Sequence, residues 1–288
     1  MYFKLSGGIK MKNALSLGTF DGVHIGHRAV LNMPKNYRGV AVTFEIPPKA
    51  VFSGKKELIM TAEDKVSALK NIGIDEVLIL DFNAVKDMEP QEFLLDLWVR
   101  YHPQLISCGF NYRFGKNAKG DTTMLKQFCD EKGIEFCVCE PIKYDGEIVS
   151  SSNIRDLLKK GEIEKANKFL EVPFSFESEV IKGDQRGRTI GFPTVNQKYP
   201  NELVELKFGV YKTRVIFDGN IYMGMTDIGI RPTFESDFVI SETYIKDYSG
   251  DLYGKKIRIE PVEFIREEKK FSGLEELKKQ ISEDLRRL

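Results

Sequence analysis

The sequence predicts two folds in series: an α/β first half built on a parallel sheet, then a β-rich second half closed by a helix. Three observations point there. Up to about residue 160, short apolar runs alternate with segments of helical period, as in a parallel sheet with crossover helices. Beyond Pro173 the runs are short and linked by turns, with no helical period until the tail. A length of 288 residues is comfortable for two domains.

The elements follow in order. Ala14, Leu15 and Leu17 form a strand-like run into Gly18-Thr19-Phe20-Asp21-Gly22-Val23-His24-Ile25-Gly26-His27, and a helix-like run continues through Arg28, Ala29, Val30 and Leu31. Residues 40–44 read as a strand. Thr61 offers an N-cap with Glu63 and Asp64 in the first turn, Val66 and Leu69 follow, and Gly73 is the stop. Residues 76–80 read as a buried strand. Pro90 suits a first helical turn, with Phe93, Leu94, Leu97 and Trp98 facing inward. Residues 105–108 return as a strand, and Met124, Leu125 and Phe128 mark a helix closed by Gly133. In the second half, residues 174–181, 209–217, 221–225, 240–245 and 257–264 are β-rich, with Asp218-Gly219 as a hairpin turn. Ser272-Gly273-Leu274-Glu275 reads as a capping box for a tail helix. Its stripe of Leu274, Leu277, Ile281 and Leu285 is expected to pack on the β core. The boundary falls near residues 170–173, giving domains 1–170 and 171–288.

Composition narrows the function. Hydrophobic content of 42% and charged content of 30% are ordinary for a soluble globular chain. Lys+Arg and Asp+Glu both total 43, so no bulk field favours nucleic acid or an anionic membrane. No apolar run is long enough to cross a bilayer, and the first eight residues lack a signal peptide's apolar core, so the chain reads as cytoplasmic. Cys108, Cys129, Cys137 and Cys139 form no CxxC pair and have no histidine at zinc-ligand spacing. Cys137 and Cys139 alternate on one face of a strand, and all four read as buried small hydrophobes without a metal or redox role.

Two of the three histidines, His24 and His27, sit where a strand, a glycine turn and a helix start meet. The first N–H groups of a helix lack internal partners and carry partial positive charge, so such a place suits phosphate. Side chains three apart share a helical face, so both imidazoles can turn to one anion and donate to charge that develops during phosphoryl attack. The segment resembles the signature of the HxGH nucleotidyltransferases, most closely the FAD synthetase branch. Gly18, Phe20, Asp21 and Gly22 are its remaining site positions.

Two further segments match that branch. Gly109-Phe110-Asn111-Tyr112-Arg113-Phe114-Gly115 resembles its GxDFxFG loop, with Asn111 where the family has Asp. Asn keeps the acceptor oxygen and loses the charge. Val149-Ser150-Ser151-Ser152-Asn153-Ile154-Arg155 resembles its ISSTxxR motif. A serine-capped helix would explain that segment alone. Beside the histidine turn, phosphate contact by Ser151, Ser152 and the permanently charged fork of Arg155 is the better reading. Pro47 replaces a His found in many relatives.

Residues 183–196, Gly-Asp-Gln-Arg-Gly-Arg-Thr-Ile-Gly-Phe-Pro-Thr-Val-Asn, resemble the riboflavin kinase motif ending GFPTxN. Gly183, Gly187 and Gly191 allow close backbone approach, and the segment links β-rich runs without opening a helix, unlike a Walker P-loop. Arg188 and Pro193 belong to the same run. Thr194 and Asn196 would face one side if extended, and their oxygens suit Mg²⁺ held jointly with ATP phosphates. Asp227 stands where the kinase pattern has Asn, and Glu242 aligns with its glutamate-bearing strand. The resemblance implies that Glu242 is the general base on riboflavin's ribityl 5′-hydroxyl. Arg266 and Phe271 are candidates to hold the flavin ring.

Over nearly its whole length the chain is thus similar to the prokaryotic bifunctional riboflavin kinase/FAD synthetase family. That family implies a Rossmann-like adenylyltransferase domain followed by a six-stranded β-barrel kinase domain with a C-terminal helix. It implies riboflavin, FMN, FAD and ATP as ligands, with FMN made by the second domain and FAD by the first, and no nucleic acid or membrane partner. Two other readings remain: a chain with one dead half, raised by Asn111 and Asp227, and a flavin-binding protein without turnover. Retention of His24, His27, Thr194, Asn196 and Glu242 together argues against the latter.

Overall fold

The computed structural model describes residues 11–183, 187, 190–232 and 237–288. It divides into two compact units: the first takes in residues up to 55 and 61–150, and the second residues 56–60 and 151–288. Arg188, within the kinase-like run, lies outside the described residues.

The first unit is a five-stranded parallel sheet: β1 (Lys12–Leu17), β2 (Tyr37–Phe44), β3 (Glu76–Leu80), β4 (Leu105–Gly109) and β5 (Glu135–Cys139), in the order β3-β2-β1-β4-β5. Helices α1 (Ile25–Leu31), α2 (Pro48–Ser53), α3 (Ala62–Asn71), α4 (Phe82–Val85), α5 (Pro90–Tyr101) and α6 (Thr122–Lys132) lie between the strands in sequence. Local chemistry sets their ends. The Thr61 side chain accepts from Asp64 N at 3.1 Å and that of Asp121 from Met124 N at 3.0 Å, each satisfying a donor the helix leaves open. Gly133 ends α6 in the left-handed region at φ 66°. Leu15, Leu17, Val40, Val42, Leu94, Leu97 and Ile106 form the core with the inner faces of α5 and α6.

Two expectations fail here for one reason. Both β3 and β5 are edge strands. Ile79 on β3 is 40% exposed, so that strand is not buried. On β5, Cys137 is exposed and Cys139 half-buried, while Cys108 and Cys129 are buried as expected. The two β5 sulfurs do share a face, 3.9 Å apart.

After the short hairpin of β6 (Lys143–Tyr144) and β7 (Glu147–Ile148), α7 (Ser151–Lys160) and α8 (Ile163–Phe169) group with the second unit. Asn167 on α8 ties it there, donating to Pro261 O at 3.1 Å and accepting from Phe174 N at 2.9 Å. That unit is a closed barrel of β8 (Phe176–Ile181), β9 (Thr194–Lys198), β10 (Gly209–Phe217), β11 (Asn220–Pro232), β12 (Asp237–Ile245) and β13 (Lys256–Arg266), ordered β10-β11-β12-β9-β8-β13. Closure leaves no open sheet edge. Asp218 and Gly219 turn the first hairpin with φ 49° and 74°, the double positive φ that matches strand twist. Inside, the hydroxyls of Thr213, Thr226 and Thr243 form a chain with 2.9 Å steps.

The tail helix α9 (Leu274–Leu285) forms, with a different cap from the one expected. Gly273 is the N-cap, which puts Glu276 rather than Glu275 at the third helical position. Its carboxylate accepts from Ser272 N at 3.0 Å and Ser272 Oγ at 2.8 Å. Leu274 then sits in the first turn, 62% exposed, and Leu277, Ile281 and Leu285 are only half-buried.

Candidate active sites

Strand order reverses between β1 and β4, and loops leaving the carboxyl ends of such a pair flank a crevice. The histidine turn leaves β1 and the 109–115 loop leaves β4, so His24, His27, Asn111 and Arg113 come to the same end of the sheet. The placement of α1 follows from the sheet itself. Ser16 on β1 and Ser107 on β4 are register partners, and both hydroxyls donate to Val30 O, at 2.6 and 2.7 Å. They hold the far end of α1 and so fix where its start points.

The turn is strained. Phe20 and Val23 take φ of 46° and 35°, left-handed values that a β-branched residue rarely adopts, and Gly22 takes 85°. Phe20 and Val23 are 1% and 0% exposed, so packing holds a backbone the residues would not choose. The Phe20 ring folds back over Gly18, where a Cβ would come within 2.7 Å of it. Asp21 is also buried.

The imidazoles stack, with centroids 3.5 Å apart and planes 19° from parallel, and the Phe20 ring meets His27 edge-on at 5.3 Å. His24 N donates to His27 Nδ1 at 3.3 Å. An accepting Nδ1 carries no proton, so in the neutral ring the proton sits on Nε2. Burial, then the neighbouring His24 and Lys65, push the His27 pKa well below its ordinary value. At neutral pH His27 is therefore an uncharged ring offering one Nε2–H donor.

Asn111 and Arg113 are exposed, and Arg113 Nη1 reaches Asp121 Oδ2 only at 3.5 Å. Ser151, Ser152 and Arg155 open α7. Arg155 Nε donates to Glu57 O at 2.7 Å. Sequence reasoning passed over Lys65, which is 1% exposed. Its signal was spacing: Lys65, Ala68 and Leu69 share the buried face of α3.

In the second unit, barrel register builds the site. Asn196 on β9 partners Glu242 on β12, which partners Asp227 on β11. One step along the same face, Thr194 partners Tyr244, which partners Met225. All six line one cavity of about 960 Å³, together with Gly183, Gly187, Phe192, Phe271 and the Leu277, Ile281 and Leu285 stripe of α9. Gly183 is required: a Cβ there would approach the Asn196 amide to 2.5 Å. Gly187 O accepts from Phe192 N at 2.8 Å, and Gly191 turns the chain at φ 87° just before Pro193.

Arg266 lines the cavity, but its guanidinium is engaged. Nε and Nη2 donate to Asp284 Oδ2 at 3.0 and 2.8 Å, tying β13 to α9. Phe271 lies against the same guanidinium at 5.9 Å.

The donor set suits a hard divalent cation. Thr194 Oγ1 and the Asn196 amide oxygen share a face beside two carboxylates, at a cavity large enough for a nucleotide. Among the described residues, no helix is long and apolar enough to cross a membrane.

The FAD synthetase family profile matches residues 8–153 and the riboflavin kinase profile residues 170–288. The bifunctional riboflavin kinase/FMN adenylyltransferase of Listeria monocytogenes is 33% identical over 285 residues, covering 95% of this chain and 90% of its own. Those of Bacillus subtilis and Escherichia coli K12 are 34% and 32% identical, covering 95% and 94% of this chain and 90% of each relative. A crystal structure from Streptococcus pneumoniae, described as a macrolide-efflux protein, matches with a TM-score of 0.88 over 97% of this chain and 94% of its own, at 27% identity. With both profiles in this order and relatives matched over nearly the whole length, the chain belongs to the bifunctional riboflavin kinase/FMN adenylyltransferase family: its N-terminal part adenylylates FMN and its C-terminal part phosphorylates riboflavin, both with ATP.

Proposed function

We propose that adenylyl transfer is centred on His24 and His27, and phosphoryl transfer on Thr194, Asn196 and Glu242, with functional modules at residues 1–170 and 171–288. The observation that carries the second assignment is the Asn196–Glu242–Asp227 row, which places an acceptor carboxylate beside a hard-oxygen pair on one cavity wall.

In the first module a phosphate oxygen of FMN attacks the α-phosphorus of ATP. The new O–P bond gives FAD as the bond to the β-phosphate oxygen breaks and pyrophosphate leaves. The Nε2–H of His27 donates to charge on the α-phosphate, and the open N–H groups at the start of α1 add to it. No covalent intermediate with the enzyme is needed. Roles for Gly18, Phe20, Asp21, Gly22, Asn111, Arg113, Ser151, Ser152 and Arg155 in holding ATP and FMN stand on the sequence motifs.

In the second module Glu242 accepts the proton of the riboflavin 5′-hydroxyl while that oxygen bonds to the γ-phosphorus and ADP leaves. Thr194 and Asn196 would hold Mg²⁺, which when bound neutralises phosphate charge. Incubation with riboflavin, ATP and Mg²⁺, followed by separation of the flavins, tests the assignment. FMN and FAD should both appear, and His27→Ala and Glu242→Ala should each remove a different one of the two steps.

A further inference from the structure

Lys65 is a group that neither mechanism above uses. A lysine ammonium is costly to bury, and the cost is offset only where it is hydrogen-bonded and faces opposite charge. Its retention at 1% exposure therefore asks for a local task. Nζ donates to Phe44 O at 2.5 Å and to Thr19 O at 3.3 Å. Those carbonyls lie at the carboxyl end of β2 and just beyond that of β1, where the parallel ladder stops. Thr43 Oγ1 also donates to Thr19 O, at 2.8 Å, so two side chains converge on the residue that begins the strained turn. The ammonium lies within electrostatic reach of Asp21 and Glu45, and of His27.

We infer that Lys65 is a positioning residue for adenylyl transfer: its buried ammonium clamps the ends of β1 and β2 beneath the histidine turn and sets a fixed positive charge behind the imidazoles. The clamp holds the Phe20–Val23 backbone in its strained form, and with it the start of α1. The charge adds to burial and His24 in keeping His27 neutral, and favours the approach of polyphosphate. Burial lowers the Lys65 pKa to about 8, with Asp21 and Glu45 opposing the fall, so the cation persists at neutral pH. The inference rests on placing adenylyl transfer at the histidines.

Two variants of the full chain test it. Lys65→Gln keeps an amide donor and removes the charge; Lys65→Met removes both. Three quantities are read for each: kcat for FAD formation from FMN, kcat for FMN formation from riboflavin, and the NMR titration of the His27 ring nitrogens. In Lys65→Gln, FAD formation should fall more than fivefold, FMN formation should stay within twofold, and His27 should protonate at higher pH than in the parent. Lys65→Met should fall further. A smaller loss of FAD formation, an unmoved His27 titration, or a Gln variant whose first unit does not fold would each overturn the inference, the last by making Lys65 a structural support. His27→Ala is run alongside. If it keeps FAD formation, the siting of adenylyl transfer fails and takes the Lys65 inference with it. If it loses FAD formation while Lys65→Gln is unaffected, only the Lys65 inference fails.

Discussion

Asp227 and Glu242 are register partners across β11 and β12, and Glu242 in turn partners Asn196 on β9. Two carboxylates thus share one wall of the cavity with the Thr194–Asn196 oxygens. A unit charge near a cation in a water-accessible site is worth about 1 kcal/mol, roughly a fivefold change in affinity. Asp227→Asn should therefore raise the Mg²⁺ needed for half-maximal FMN formation by about three- to tenfold, leaving FAD formation from supplied FMN unchanged. A Mg²⁺ titration of each activity checks this, and an unmoved midpoint would remove Asp227 from the cation's surroundings.

Glu242→Ala should abolish phosphorylation of riboflavin, because an alcohol is a poor nucleophile without a group to take its proton. The same variant should still adenylylate supplied FMN. Persistent FMN production would take the base role from Glu242.

His27→Ala should slow FAD formation by ~10²–10³, the loss expected for one preorganised donor at a developing charge. FMN formation should barely change. Loss of both activities with the fold intact would show that the sites are assigned to the wrong parts of the chain.

The buried ring also sets a pH dependence of stability. The folded pKa of His27 lies below the ordinary value of 6.5 that the unfolded chain shows. As pH falls through 6.5, the unfolded chain gains a proton that the folded chain does not. The contribution of this group is complete above that pH and declines below it, by at most about 1.4 kcal/mol per pH unit. Melting of the first unit should therefore drop between pH 7 and pH 5, and His27→Phe should flatten the slope. An identical slope in the variant would contradict this.

Thiol labelling separates the cysteines. Burial pushes the Cys108 and Cys129 thiols up to about 12, whereas Cys137 is exposed on an edge strand. A maleimide at pH 7.5 should label Cys137 first and leave Cys108 and Cys129 unmodified until denaturant is added. Early labelling of Cys108 would mean that the core beside β4 opens readily.

The histidine turn and the GFPTxN run were legible in the sequence because their chemistry is local. A strand, a glycine turn and a helix start lie within 20 residues, and Thr194 and Asn196 are only two apart. Edge strands were not legible, since β3 and β5 are as apolar in sequence as buried strands and differ only in having one neighbour. Lys65 was missed because periodicity arguments treat a lysine as solvated, and only the carbonyls of Thr19 and Phe44, 46 and 21 residues away, explain its burial. The cap of α9 was misjudged by one residue, since the cap depends on where the backbone leaves helical geometry.

By itself the sequence determined the kinds of the longer elements, their order, and the two motifs that resemble nucleotide sites, because hydrophobic period, caps and turn residues act over a few positions along the chain. The tertiary structure decided which strands became edges, that Asp227, Glu242 and Asn196 lie in one row, and that an ammonium sits beneath the first site. Those outcomes depend on strand order and register, which are chosen by pairings between residues far apart in sequence, and no short window of residues contains them.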